Sequence, residues 1–202
     1  MSLFRIILAI AFAATLAACA SQPTSQVGRA AAQANAQLNQ ESVLGETLLA
    51  LDPSVDPLEA NRAAALAYRH TATLAREYEI EDGPILHNIK VNRGTKPRGL
   101  CWHWAEDLET RLAQEGFETL QLHRAIANFD NWRLEHSTVI ISAKGAVMYD
   151  GIVLDAWREG GTLFWSPVRA DTRYNWTPRQ EVFDWKRERG LLTVRYVEAA
   201  GG

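Results

Sequence analysis

The sequence predicts an α+β fold in which N-terminal helices pack on an antiparallel sheet, and three observations carry that expectation. Helix signals occupy the first half of the 202-residue chain and strand signals the second half. The strand candidates are joined by short turns rather than by crossovers, which favours hairpins. Once a polar, alanine-rich N-terminal stretch is set aside, about 160 residues remain, one domain's worth and enough for a core.

Taken in order, residues 1–18 place one positive charge, Arg5, ahead of the apolar run Ile6–Ala18. The run is too short to span a bilayer and ends in small residues, so it predicts a cleaved export signal. From Ala20 to about Gln40 the chain is Ala, Gln, Ser and Asn with few large apolar residues, which predicts a flexible or weakly helical tether over 19–45 ahead of a domain at 46–202. Asp56-Pro57-Leu58-Glu59 is a helix start, with Asp as the cap and Pro in the first turn. The helix should reach about Tyr78, with Leu58, Ala65, Tyr68, Ala72 and Ala75 as its inward stripe. Gly83-Pro84 breaks that pattern, Ile85–Val91 fits helix and strand alike, and a second helix runs from near Leu100 to Gln114, closed by Gly116. Strands are expected at Thr119–Ile126, His136–Ser142, Met148–Trp157 with a bulge at Asp150-Gly151, Leu163–Val168 and Leu191–Val197.

Charge and motif content exclude several classes. A net charge of −3 without a basic cluster gives nucleic-acid binding no electrostatic support. The histidines are scattered, no Cys or His pair has metal-ligand spacing, and there is no glycine-rich phosphate loop, so neither metal nor cofactor is expected. Trp157, Trp165 and Trp185 lie in apolar contexts that suit core packing better than sugar stacking.

The two cysteines carry the chemistry. Leu16-Ala17-Ala18-Cys19 directly follows the apolar run and resembles the lipobox of bacterial lipoprotein precursors. That resemblance implies a diacylglyceryl-modified Cys19 as the mature N-terminus and a domain anchored to the membrane. With Ala20 next, it implies the periplasmic face of the outer membrane. Cys101 is then a lone thiol in an oxidising compartment, which asks for a reason. It opens a helix whose Cys101, Ala105, Leu108 and Leu112 share one face, so the free N–H groups and the dipole of the first turn favour a thiolate. The same N–H groups suit an oxyanion. A thiolate nucleophile wants an imidazole. His103 points away around the helix; His70, His87 and His123 are not excluded; His136, at the start of a strand, is the best placed. Asp155 is a carboxylate among apolar residues and faces His136 directly if the hairpin turns between Gly145 and Ala146. Asp150 is the competing carboxylate, and Arg158 a competing partner for Asp155. Asn88, Asn92, Trp102 and Trp104 are the local candidates for a second oxyanion donor.

A cysteine opening a helix, a histidine 35 residues later and an aspartate 19 residues after that resemble the transglutaminase-like branch of the papain superfamily, over roughly residues 84–168. Gly99-Leu100-Cys101 with Ala105, Leu108 and Leu112 looks like that family's Gly-x-Cys helix, but no Ala-Trp pair follows His136, and Leu154-Asp155-Ala156-Trp157 replaces the common Pro-x-Asp-Pro. The resemblance implies a Cys101–His136–Asp155 triad acting on a peptide-like amide in the envelope. Its alternative is an inactive transglutaminase-like scaffold or binding lipoprotein. Cell-wall endopeptidases with Cys–His sites are a third reading, usually with longer Cys-to-His spacing.

Overall fold

The computed structural model describes residues 26–191. Cys19, the export signal and all but the first residue of the Leu191–Val197 strand candidate lie outside them. The chain divides into two compact units, Met1–Asn35 and Ala36–Gly202. In the first, the described residues are the opening turns of helix α1 (Gln26–Leu49) and expose their side chains from Gly28 to Asn35. The stretch expected to be a flexible or weakly helical tether is thus helical from Gln26 onward.

The second unit is α+β: helices α2 (Pro57–Glu77), α3 (Pro84–Asn92), α4 (Cys101–Ala113) and α5 (Arg179–Glu188), with the C-terminal part of α1, accompany a five-stranded antiparallel sheet. Its strands are β1 (Leu120–Ala127), β2 (His136–Ala143), β3 (Ile152–Asp155), β4 (Phe164–Pro167) and β5 (Thr177–Pro178), in the order β4-β3-β2-β1-β5. Among the described residues, no helix is long and apolar enough to cross a membrane.

The Asp56 carboxylate accepts from the Leu58 and Glu59 amides and starts α2 as a side-chain cap should. The inward face of α2 differs from the expected stripe. Leu58 is 76% exposed, and the buried face is Ala60, Ala63, Ala64, Ala67, Tyr68, Thr71 and Leu74. Alanine occupies both candidate faces, so periodicity sets the wrong phase, and packing against α4 sets the right one. Pro84 opens α3, the segment the sequence leaves ambiguous.

Each face of the sheet carries its own core. Val139, Ile141, Ala143, Ile152 and Leu154 pack with Leu108 and Leu112 of α4 and with Leu44, Leu48 and the alanines of α2. Ala125, Ala127, Ile140 and Val153 face the other way, under Met148, Val168 and Trp176.

The β2–β3 hairpin is wider than expected. A 3-10 turn at Met148–Asp150 takes the place of the bulged strand start, and the observed partners are Val139–Leu154, Ile140–Val153 and Ile141–Ile152. That frame sets Asp155 level with Thr138 and moves the register by two residues from the one that would place it opposite His136. A shift of two leaves every side chain on its expected face. Gly151 permits the tight return: a Cβ there would lie 2.6 Å from the Ile141 carbonyl oxygen.

Candidate functional site

The candidate site lies where α4 begins and β2 begins. His136 is the terminal partner of the β1–β2 ladder, opposite Ala127. By strand alternation it and Asp155 share the face of Ile140 and Val153. The inward stripe of α4 packs on the opposite face, so helix and imidazole meet only beyond the strand ends. Cys101 is half-buried among Leu74, Tyr78, Trp104, Ala156 and Trp157. Its thiol is 3.9 Å from the Glu135 carbonyl oxygen, the residue before His136.

Diagonal placement serves the histidine and the aspartate. His136 Nε2 donates to Asp155 Oδ2 at 2.6 Å, both side chains almost wholly buried. The Asp155 acceptors are fully used: Oδ1 takes the amides of Trp157 (3.2 Å) and Arg158 (3.0 Å), and Oδ2 takes Arg158 Nε (3.0 Å) as well as the imidazole. Bonding Nε2 to the carboxylate leaves Nδ1 as the free ring nitrogen, and it has no conventional hydrogen-bond partner. Rings of Trp157 and Tyr174, each 4.7 Å away, and Trp176 at 5.5 Å hold the imidazole plane.

The electrostatics follow from this enclosure. Burial disfavours an imidazolium, but the Asp155 charge and hydrogen bond, with lesser contributions from Cys101 as hydrogen-bond partner and charge, outweigh it and raise His136 to about 9. Burial likewise opposes ionisation of Asp155, yet His136, Arg158 and the amides hold its carboxyl below the usual carboxylate range. A protonated ring beside an ionised carboxylate is the state this pocket favours.

The entry to α4 is built by two other histidines. Gly99 has φ +121°, and a Cβ on it would lie 2.4 Å from His87 Nε2, which bonds the Arg98 carbonyl at 2.8 Å; only glycine fits. His103 turns back over its own helix and accepts the Gly99 and Leu100 amides on Nδ1, at 3.1 and 3.2 Å. Burial, and then Arg98, push His103 down to about 4, so it stays neutral and keeps its lone pair for capping. Those two amides are engaged, which leaves the Cys101 and Trp102 amides as the first-turn donors.

The remaining candidates fall elsewhere. His123, midway along β1, bonds Ser142 at 2.8 Å; His70 lies half-buried on α2. Asp150, the rival carboxylate, is exposed and pairs with Arg169. Trp104 gives its indole N–H to the Gly99 carbonyl (3.0 Å), and Asn88 accepts from Trp157 (3.0 Å). Asn92 is exposed at the end of α3, and Trp102 is 41% exposed beside Cys101. Arg158, weighed in the sequence as a rival partner of Asp155, bonds it together with His136. Asp171, Tyr174 and Trp176 had no sequence signal; they come from an irregular stretch between β4 and β5. Among the described residues, no group of three or more His, Cys, Asp or Glu side chains is arranged to hold a metal ion.

Compared with protein-family models, with curated proteins and with solved structures, the chain gives no significant match.

Proposed function

We propose that this protein is a lipid-anchored envelope protein with a thiol-dependent acyl-transfer site of the transglutaminase-like kind, acting on peptide-like amides. The observation that carries the proposal is the 2.6 Å bond from His136 Nε2 to Asp155, with Nδ1 left without a partner and Cys101 near enough to bear on the charge of the ring. Two strands and a helix supply the three groups, a convergence that a merely buried thiol does not require. The helix–sheet arrangement, with its Cys-bearing helix on an antiparallel sheet, agrees with such a core.

In the proposed reaction the Cys101 thiolate attacks the amide carbonyl carbon while His136 carries the proton on Nδ1. The oxyanion meets the first-turn amides of Cys101 and Trp102. Collapse breaks the C–N bond, Nδ1–H protonates the departing amine, and a thioester forms on Cys101. Water then attacks the thioester carbon and gives a proton to Nδ1, the C–S bond breaks to return the Cys101 thiolate, and the acid leaves; an amine in place of water gives transfer. Asp155 orients the ring and stabilises its charge throughout.

Iodoacetamide labelling of Cys101, followed by intact mass near neutral pH, tests the reading. Labelling is expected to be at least about tenfold faster than that of a free thiol and to fall to free-thiol rates in His136→Ala. Equal, slow labelling in both proteins would overturn it. The lipid anchor on Cys19 and a place at the periplasmic face of the outer membrane belong to the same proposal. Cys19→Ser is expected to move the protein from the membrane to the soluble fraction.

A further inference from the structure

Arg158 is only 6% exposed, yet every part of its guanidinium is committed. Nε donates to Asp155 Oδ2 at 3.0 Å, and the two terminal nitrogens take both oxygens of Asp171 at 3.1 and 2.7 Å. Its flat face lies over the Phe164 ring at 3.8 Å and near Tyr174 at 4.8 Å. Asp171 is itself fixed, accepting from the Trp176 indole at 3.0 Å and the Arg173 amide at 3.1 Å. Tyr174 and Trp176 are the same rings that flank His136. The result is a buried ladder of alternating charge: imidazole, carboxylate, guanidinium, carboxylate.

Such a ladder is costly in a low-dielectric interior unless each charge is matched and hydrogen-bonded. A salt bridge from Arg158 to Asp155 alone would hold the carboxylate in place but draw its charge away from the imidazole. Asp171 offsets that by taking the other side of the guanidinium in a fork geometry that a lysine could not offer. Asp155, Arg158 and Asp171 together carry one net negative charge, which one imidazolium balances.

We propose that Arg158 and Asp171 are positioning residues for the site: Arg158 fixes the orientation of Asp155, and Asp171 draws on the Arg158 charge so that Asp155 can hold His136 protonated. The use of that proton rests on the acyl-transfer reading; the charge ladder itself does not. The groups facing His136 are Cys101 from α4, Asp155 from β3, Arg158 from the turn after it, Tyr174 and Trp176 from the stretch before β5, and the neighbouring Glu135–Lys186 ion pair.

The test is an NMR titration of the His136 imidazole in the full chain, with iodoacetamide labelling of Cys101 as a second readout. Asp171→Asn leaves the whole guanidinium charge on Asp155 and is expected to lower the His136 midpoint by about one pH unit. Arg158→Gln removes the competing cation and is expected to raise it by a similar amount. Asp171→Glu should titrate as the parent does. Opposite displacements mark charge tuning, since simple loosening of the pocket lowers both. Midpoints that stay put, or that both fall, overturn the proposal; if only Arg158→Gln folds, its direction decides, and if only the Asp171 variants fold, a fall in Asp171→Asn that Asp171→Glu does not share supports the proposal and a shared fall overturns it. Should the displacements appear while labelling ignores His136→Ala, the ladder stands and the acyl-transfer reading falls. The reverse pattern rejects the ladder and leaves that reading intact.

Discussion

The sheet's α4-facing core and its His136 end are buried to a similar degree and by opposite means. Val139, Ile141, Leu108 and Leu112 are fully enclosed and wholly apolar, so each contributes by the water it sheds. His136, Asp155 and Arg158 are nearly as enclosed and carry charge, so each must find partners to break even. One face holds the domain together. The other end holds a buried charged cluster, and the polar partners there reduce its burial cost without adding much stability.

That contrast can be broken from either side. The largest effect is expected from Cys101→Ala, which should abolish covalent labelling while moving the unfolding free energy by under about 1 kcal/mol in urea titrations. Leu108→Ala should do the opposite. It is expected to cost about 2–5 kcal/mol by the cavity it opens, with the labelling rate of the folded fraction unchanged. Gly99→Ala strikes both regions at once, because a Cβ would press on His87 and the φ of +121° is strained for any L side chain. A loss of ~1–3 kcal/mol together with slower labelling is expected.

The pH dependence of stability sharpens the comparison further. His136 is raised in the folded state, so its contribution is complete below the unfolded value near 6.5 and is lost as pH climbs toward about 9. Asp155 is lowered, so its contribution is present above the ordinary carboxylate range and lost as pH falls through the depressed value. His103 is also lowered, to about 4, and its neutral capping role is lost as acidification proceeds from 6.5 toward 4. Urea unfolding from pH 4 to pH 9 should therefore show two sloping limbs. His136→Ala should flatten the alkaline one, and His103→Gln should flatten the acid one. The smallest effect is expected at the exposed Arg169–Asp150 pair, where Arg169→Ala should change stability by about 0–1 kcal/mol.

The sequence made the α+β order and most strand positions legible because hairpins and helix caps leave local marks: Asp56-Pro57 at α2, Gly116 after α4, the β-branched run Thr138–Ile141 in β2. Cys101 and His136 were legible because each opens an element, and Asp155 because a carboxylate stands out among apolar strand residues. Phase and register were not. The α2 face depends on which alanines meet α4, and the β2–β3 register depends on a 3-10 turn that a bulge imitates in sequence. Asp171, Tyr174 and Trp176 were invisible because an irregular connection places them, and nothing periodic precedes them.

The separate origins of the sulfur and the imidazole have a consequence for the chain before it is complete. Helix α4 brings a thiol without a base, and the β2–β3 hairpin brings a base without a thiol. Any chemistry needing both begins only after the two halves have docked around the sheet's end. In a nascent or half-assembled copy the two groups are therefore apart, and they come together only at that last step of folding.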